Sequence, residues 1–472
     1  MTLTKQIASN TFWQILGKIV GTALGIATIG LLTRYLGSQG FGYYTTALAF
    51  MQFFGVLIDM GLYLILLKEI SAHPADEEKI FNNIFTLRII SAIILLGGGA
   101  LLIFIFPYPE AVKWSAVIVS LSFFFASLVQ ILTAIFQKYL KMGLVALAEV
   151  LGRLVFFIAI VLFIFYRGGL TALIWSNVIN SLIYFLILWF LIKKFVKISW
   201  AFDLAYWKII WQKSWPLALG IAFNLVYFRA DTIILSLYKP AADVGIYGAP
   251  YKILEIIATF PHMFMGLVMP VLTAAWVTQN LARFKSVMQK AFDFFIILVV
   301  PMVLGSLPLA TKIMRLIAGP EFIASGKILP ALMLATGIIF IGILFTYALV
   351  ILDKQKDMLK YYFSAAVLSL IGYFIFIPRY SYYGAAWVTV AIELFIALSA
   401  FILTYKFSRL KLSLNIFWKA LLASAIMSAM LYWLIAWPTV WLIVLGMAVY
   451  GLIMILIKGL NQELIKEITG LK

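Results

Sequence analysis

Cysteine is absent from the 472 residues, which excludes disulfides, thiolate metal sites and cysteine nucleophiles together. Histidine occurs only twice, as His73 and His262, far apart and without a surrounding pattern of ligand side chains. A histidine metal centre or a Ser/His/Asp arrangement therefore lacks its members. Charge is scarce at 11%, and no glycine-rich phosphate loop occurs, so nothing points to ATP hydrolysis within the chain. No connection between apolar runs is long enough to hold a soluble catalytic domain. The expectation is a protein that is not an enzyme and carries no cofactor and no metal.

What is present is apolar: 65% of residues are hydrophobic and 16% aromatic, and the mean hydropathy is +1.08. Such values lie outside the range of soluble domains. Apolar runs of about 20 residues, the length set by a hydrocarbon core of about 30 Å, recur from end to end. Barrel strands would be half as long and would alternate in polarity. The pattern predicts an all-α polytopic membrane protein with helices at 11–33, 41–66, 82–106, 112–136, 143–166, 169–192, 214–237, 248–274, 287–311, 327–352, 359–378, 383–405, 417–437 and 439–457. That makes about fourteen spans. The first run is longer than a signal-peptide core and has no convincing cleavage site, so it reads as a retained helix.

The net charge of +18 is read loop by loop rather than as a nucleic-acid signal. With an even number of spans both termini lie on one side. Lys5, Lys68, Lys79, Arg88, Lys138, Lys141 and the run from Lys193 to Lys213 crowd that side, while the other holds few cations. The positive-inside rule places both termini on the cytoplasmic side. The connection from Lys193 to Lys213 is basic and aromatic. It is expected along the inner headgroups, with Trp200, Trp207, Trp211 and Trp215 at interface depth.

The stretch "LLTRYLGSQGFGYYTTALAF" (Leu31 to Phe50) is echoed by "ILSLYKPAADVGIYGAPYKI" (Ile234 to Ile253). At a constant offset of 203 residues, Leu32 matches Leu235, Tyr35 matches Tyr238, Gly42 matches Gly245 and Tyr44 matches Tyr247. Each copy joins the first two helices of a block of six. The blocks therefore share one orientation, related by an axis along the membrane normal. Gly37, Gly40 and Gly42 are first of all turn residues. The reading is two pseudo-symmetric six-helix lobes: 1–192 as N-lobe, 193–213 as interfacial linker, 214–406 as C-lobe, and 407–472 as two further helices with a cytoplasmic tail. Parallel halves of this kind are a transporter architecture, with substrate bound between them near the bilayer midplane.

Ionisable groups inside spans cost at least ~2.5 kcal/mol on insertion scales, so each marks a candidate site. Lys18 lies a third of the way into the first span, and Arg229 a similar distance from the outer end of the seventh. Either snorkels or faces a cavity. Asp231, two positions from Arg229, points about 200° away from it and is a poor partner. Glu149 and Arg153, at i and i+4, are expected to pair near the inner end of the fifth helix, where they could still line a path. Glu393 is the deepest acid. Asp59 and His262 fall at equivalent repeat positions. These three are candidates for proton or Na⁺ coupling, or are hydrogen-bonded core groups. Pro216, Pro261, Pro270, Pro301 and Pro308 are expected to bend their spans.

From "LTRYLGSQGFGYYTTALAF" through "DMGL" (Asp59 to Leu62), and again from "RADTIILSLYKPAADVGIYGAPYKI" at Arg229, the chain resembles the polysaccharide-transport branch of the multidrug/oligosaccharidyl-lipid/polysaccharide exporter superfamily. These are the Wzx-type oligosaccharide flippases, and the resemblance extends over essentially the whole chain. It implies two six-helix lobes around a cavity that opens alternately to either side. The implied substrate is an oligosaccharide repeat unit on polyprenyl pyrophosphate, moved outward across the cytoplasmic (inner) membrane for cell-surface polysaccharide synthesis. Lys18, Arg229 and Arg153 would then meet the pyrophosphate, and Glu393, Asp59, His262, Glu149 and Asp231 would be coupling or cavity groups. The last two helices would guide the lipid tail. Membrane lipids and the polysaccharide polymerase machinery are the implied partners. The full arginine set of the peptidoglycan-precursor branch is not matched. A cation-coupled drug antiporter of the same superfamily and a lipid II flippase are the alternatives.

Overall fold

The apolar runs fold as helices, and the described residues contain no strand. The computed structural model describes the backbone of residues 3–459, with the side chains of 3–16 and 216–217 left out. Lys466, Lys472 and the side chains of Lys5 and Pro216 lie outside the described residues. Thirteen helices run in order: α1 (Leu3–Asp59), α2 (Leu62–Ala72), α3 (Glu77–Leu102), α4 (Glu110–Lys138), α5 (Met142–Phe165), α6 (Leu170–Ile192), α7 (Leu204–Tyr238), α8 (Ala241–Val277), α9 (Leu281–Ala318), α10 (Leu329–Ile351), α11 (Leu359–Ser408), α12 (Asn415–Trp433) and α13 (Thr439–Leu456).

At 1.5 Å per residue α1 would be about 85 Å long, far more than one crossing requires. It breaks at Gly37, whose φ of 66° and ψ of −178° leave the helical region. Its neighbours show that the chain reverses there. Before the break, Gly17 lies on Ala146 and Gly21 on Arg153, so the first arm runs parallel to α5. After it, Gly55 lies on Phe123 and, in the α2 that continues the arm, Tyr63 reaches Gln137, so the second arm with α2 runs parallel to α4. Helices α4 and α5 are themselves antiparallel across a three-residue turn, so the two arms of α1 are antiparallel as well. α11 repeats the device at Ser381, φ 51° and ψ −136°, where Gly384 has no room for a side chain against the Phe376 carbonyl. The described residues hold 12 helices long and apolar enough to span, two of which, at 56 and 54 residues, each cross twice. Counted as crossings, this is the expected fourteen. Helices α8 and α9 continue through their internal prolines.

The chain divides into two compact units, Met1–Gly248 and Ala249–Lys472. In the first, α7 packs against α1, α2 and α3. It also begins earlier than hydropathy alone suggests. Asp203 caps it, accepting from the Tyr206 amide at 2.9 Å, so the basic, aromatic connection is helical from Leu204 onward. The extended piece before the cap is pinned to α3. Asn82 donates to the Lys197 carbonyl and accepts from the Ser199 amide, Thr86 accepts from the Ala201 amide and Asn83 from the Asp203 amide. Trp200, Trp211 and Trp215 are exposed on this segment. Tyr206 beside it lies outside the spans. Burial pushes its hydroxyl up to about 12, with Glu69, Asp203 and Asp76 adding to the effect.

The two copies of the repeated turn meet within this unit. Gly42 abuts the Ala241 carbonyl, and Gly245 abuts the Ser38 carbonyl, with no space for a Cβ in either place. Residues 42 and 245 are equivalent, as are 38 and 241, so each contact is the image of the other. Thr45 and its equivalent Gly248 face one another.

The second unit packs α9 against α10 and α12, and α10 against α11, with α13 on α12. It contains an apolar cavity of about 730 Å³ lined from α9 (Phe292, Val299), α10 (Gly337, Ile341), the second arm of α11 (Leu398, Phe401), the connection at Leu410–Leu414 and α12 (Phe417, Leu421). Lys411 is its one charged lining residue.

Candidate functional site

Polar side chains that cost energy in hydrocarbon gather on the lysine-rich half of the first unit, where α1–α2, α4, α5 and α6 come together. Arg153 crosses the face of Gly21: its Nη1 donates to the Gly21 carbonyl at 3.1 Å, while Nε and Nη2 donate to Glu149 at 3.1 and 2.8 Å. The approach is close: a Cβ at position 21 would lie 3.0 Å from Arg153 Cδ. The i, i+4 pairing expected of Glu149 and Arg153 is thus present, and it is fastened to the first helix.

Asp59 accepts from Arg88 at 2.6 Å. Arg88 has no exposed side-chain surface and also donates to Gln130 at 3.2 Å, whereas its Nε and Nη1 find no partner among the described residues. Counting Arg88 among the inner-segment charges is corrected by this geometry: it lies well inside α3, with Asp59 as its counter-ion. One turn on from Asp59, Tyr63 donates to Gln137. Tyr184 of α6 lies within electrostatic reach of Glu149, Arg153 and Tyr63, joining the two ion pairs into one belt. Asn180, one turn before Tyr184, lies against Gly152.

Lys18 is half-buried one turn before Gly21 and has no hydrogen bond or ion pair with another described residue. Three of the predicted residues, Asp59, Glu149 and Arg153, are therefore brought into one belt, with Lys18 adjoining it in sequence. Arg229 stacks on Phe228 at 5.4 Å. Asp231 is fully buried and accepts from the Tyr247 hydroxyl at 2.6 Å and the Thr232 hydroxyl at 3.1 Å. It ties α7 to the second copy of the repeated turn.

In the second unit Glu393 is only 8% exposed and forms no hydrogen bond or ion pair with a described residue. Tyr362 is within its electrostatic reach. His262 is exposed, its ring 6.1 Å from that of Tyr347. Sequence reasoning missed Arg88, Gln130, Gln137, Asn180 and Tyr184. Arg88 had a signal, a cation within the predicted span 82–106. The others are neutral side chains that composition does not mark.

Comparison with known proteins agrees with this architecture. A sequence profile of the family described as polysaccharide biosynthesis protein matches residues 7–276, more than half of the chain. A protein of Shigella flexneri described as an O-antigen transporter is 23% identical over 421 residues, covering 86% of this chain and 98% of that one. Among solved structures, the lipid II flippase MurJ in an inward closed conformation superposes with a TM-score of 0.77 at 18% identity, covering 95% of this chain and 99% of that one. An inward-facing multidrug resistance transporter of the MATE family superposes at 0.63 and 14% identity, covering 84% and 97%. At these identities the superpositions establish the fold.

Proposed function

The chain belongs to the polysaccharide biosynthesis protein family, and from that premise we propose that it is a flippase for polyprenyl-pyrophosphate-linked oligosaccharide repeat units, working by alternating access. The observation that carries the reading is Lys18, a cation inside a span and without a partner among the described residues. A pyrophosphate crossing hydrocarbon requires such a cation. Arg153 is already held by Glu149, so Lys18 makes the first contact and Arg153 and Arg229 the later ones. The name of the O-antigen transporter relative supports a glycan repeat unit over lipid II. The apolar cavity against α12 suits the lipid tail.

In this reading the lobes are 1–192 and 214–406, and both termini face the cytoplasm at the inner membrane. The translocated unit is handed to a polymerase on the outer side. Proton or Na⁺ coupling runs through Glu393, because Asp59 has its own counter-ion in Arg88 and His262, among the described residues, has only a ring contact. That acid also favours the second reading, a cation-coupled drug antiporter, whose substrate would seek a buried carboxylate rather than Lys18.

The deciding experiment compares thermal stabilisation of the purified protein by a polyprenyl pyrophosphate, the uncharged polyprenol and a lipophilic cation, because a ligand selective for the native state raises apparent stability. Stabilisation by the pyrophosphate alone, lost in Lys18→Ala and Arg229→Ala, is expected. Stabilisation by the cation alone, lost in Glu393→Gln, would replace the flippase with the antiporter.

A further inference from the structure

The belt in the first unit differs chemically from a phosphate site. Its two charged pairs are internally compensated, Asp59 by Arg88 and Glu149 by Arg153, so as long as Arg153 stays on Glu149, before its later contact with the pyrophosphate, the belt holds no surplus cation and no surplus acid. What it offers instead is unspent hydrogen-bonding capacity. Among the described residues, the amide nitrogens of Gln130 and Gln137 donate to nothing, their oxygens being used by Arg88 and Tyr63. The Asn180 amide and the Tyr184 hydroxyl make no hydrogen bond with a described residue. Asp59 and Glu149 each use a single carboxylate oxygen. All six residues are partly exposed.

Within a bilayer such groups cannot face lipid, where each unsatisfied donor or acceptor costs several kcal/mol. They face either water or a polar ligand. The belt climbs from the end of α4 at Gln137 to Asp59 and Asn180, each more than ten residues from the lysine-rich end of its helical arm, α2 included. Donors, acceptors and two tyrosine rings in one net-neutral belt match one class of ligand. Sugars present dense hydroxyls, each both donor and acceptor, together with apolar C–H faces that lie on aromatic rings.

We propose that Gln137, Tyr63, Tyr184, Asn180 and Gln130 form the subsite for the uncharged glycan of the lipid-linked substrate, separate in chemistry from the Lys18 contact to its pyrophosphate. This rests on the flippase reading and adds a division of labour to it: Lys18 recognises what every polyprenyl pyrophosphate shares, and the belt recognises what the sugar adds.

The test uses the full-length protein in detergent and two probes, bare polyprenyl pyrophosphate and the same lipid carrying the repeat unit, extracted from the host. Wild-type protein should bind the glycosylated lipid more tightly. In Gln137→Ala/Tyr184→Phe, removal of two net hydrogen bonds should cut that preference about tenfold while affinity for the bare lipid stays unchanged, which also shows that the variant is folded. Asn180→Ala gives an independent reading on α6. If wild-type protein binds both lipids equally, or if the variants keep the wild-type preference, the subsite is overturned and the flippase reading stands. If wild-type protein binds neither lipid, both fall together.

Discussion

Thr45 and Gly248 hold the same place in the two copies of the repeated turn and lie against each other, a Cβ at 248 standing 3.3 Å from that of Thr45. The two copies thus meet at a self-equivalent position within the first unit. The reciprocal contacts of Gly42 with Ala241 and of Gly245 with Ser38 flank it. This seam is built by backbone-to-backbone approach, which only glycine permits.

The seam can be locked covalently in a chain that has no cysteine of its own. The 3.3 Å spacing is close to the Cβ separation of about 3.8 Å found in disulfides. Thr45→Cys/Gly248→Cys should therefore cross-link on oxidation, as mass spectrometry of the digested protein would reveal. If the turns part during each transport cycle, the oxidised protein should lose translocation and recover it on reduction. Undiminished transport in the fully cross-linked protein would show that the seam stays shut throughout.

Gly42→Ala and Gly245→Ala should each destabilise the protein by about 1–3 kcal/mol, the usual cost of overpacking. Gly97 and Gly98 of α3 supply the contrast, because a Cβ at either meets nothing within 4 Å. Alanine there should stabilise by about 0.5–1 kcal/mol through helix propensity. Thermal midpoints in detergent measure both. Similar losses at all four glycines would remove the special status of the seam.

Asp59→Ala leaves the fully buried Arg88 without its counter-ion, which should cost about 3–5 kcal/mol. Asp59→Leu/Arg88→Met, which removes both charges, should recover most of the stability. A double variant as unstable as Asp59→Ala would mean that the pair matters for something other than charge compensation.

Asn82 holds the extended segment before α7 by two hydrogen bonds, one at each side-chain atom. In Asn82→Ala the Ser199 amide should exchange with deuterium markedly faster, while amides in the middle of α3 keep their protection. Unchanged exchange at Ser199 would show that Thr86 and Asn83 suffice to hold the segment.

The sequence made the helices legible because hydropathy reports length and burial directly. The expected spans at 143–166, 169–192 and 327–352 lie within two residues of α5, α6 and α10. The pairing of Glu149 with Arg153 was legible for a similar reason, since i, i+4 geometry is local. Arg88 and Asp59 were not matched because their partnership crosses a helical hairpin, and counting cations by side treats an arginine near the start of a predicted span as part of a loop. The early start of α7 follows from one capping side chain, Asp203, which hydropathy does not weigh. Gln137, Asn180 and Tyr184 escaped notice because neutral polar side chains stand out only when folding places them side by side.

The reciprocal contacts at the seam have the form of an isologous interface, the kind formed by two identical subunits around a twofold axis. In a symmetric dimer a residue that met its own equivalent would face its twin, so any substitution there would be made twice. A single chain is free of that constraint, and here the self-facing position carries threonine in one copy and glycine in the other. The close approach is possible because one side has no side chain, an asymmetry open to a single chain and closed to a symmetric dimer.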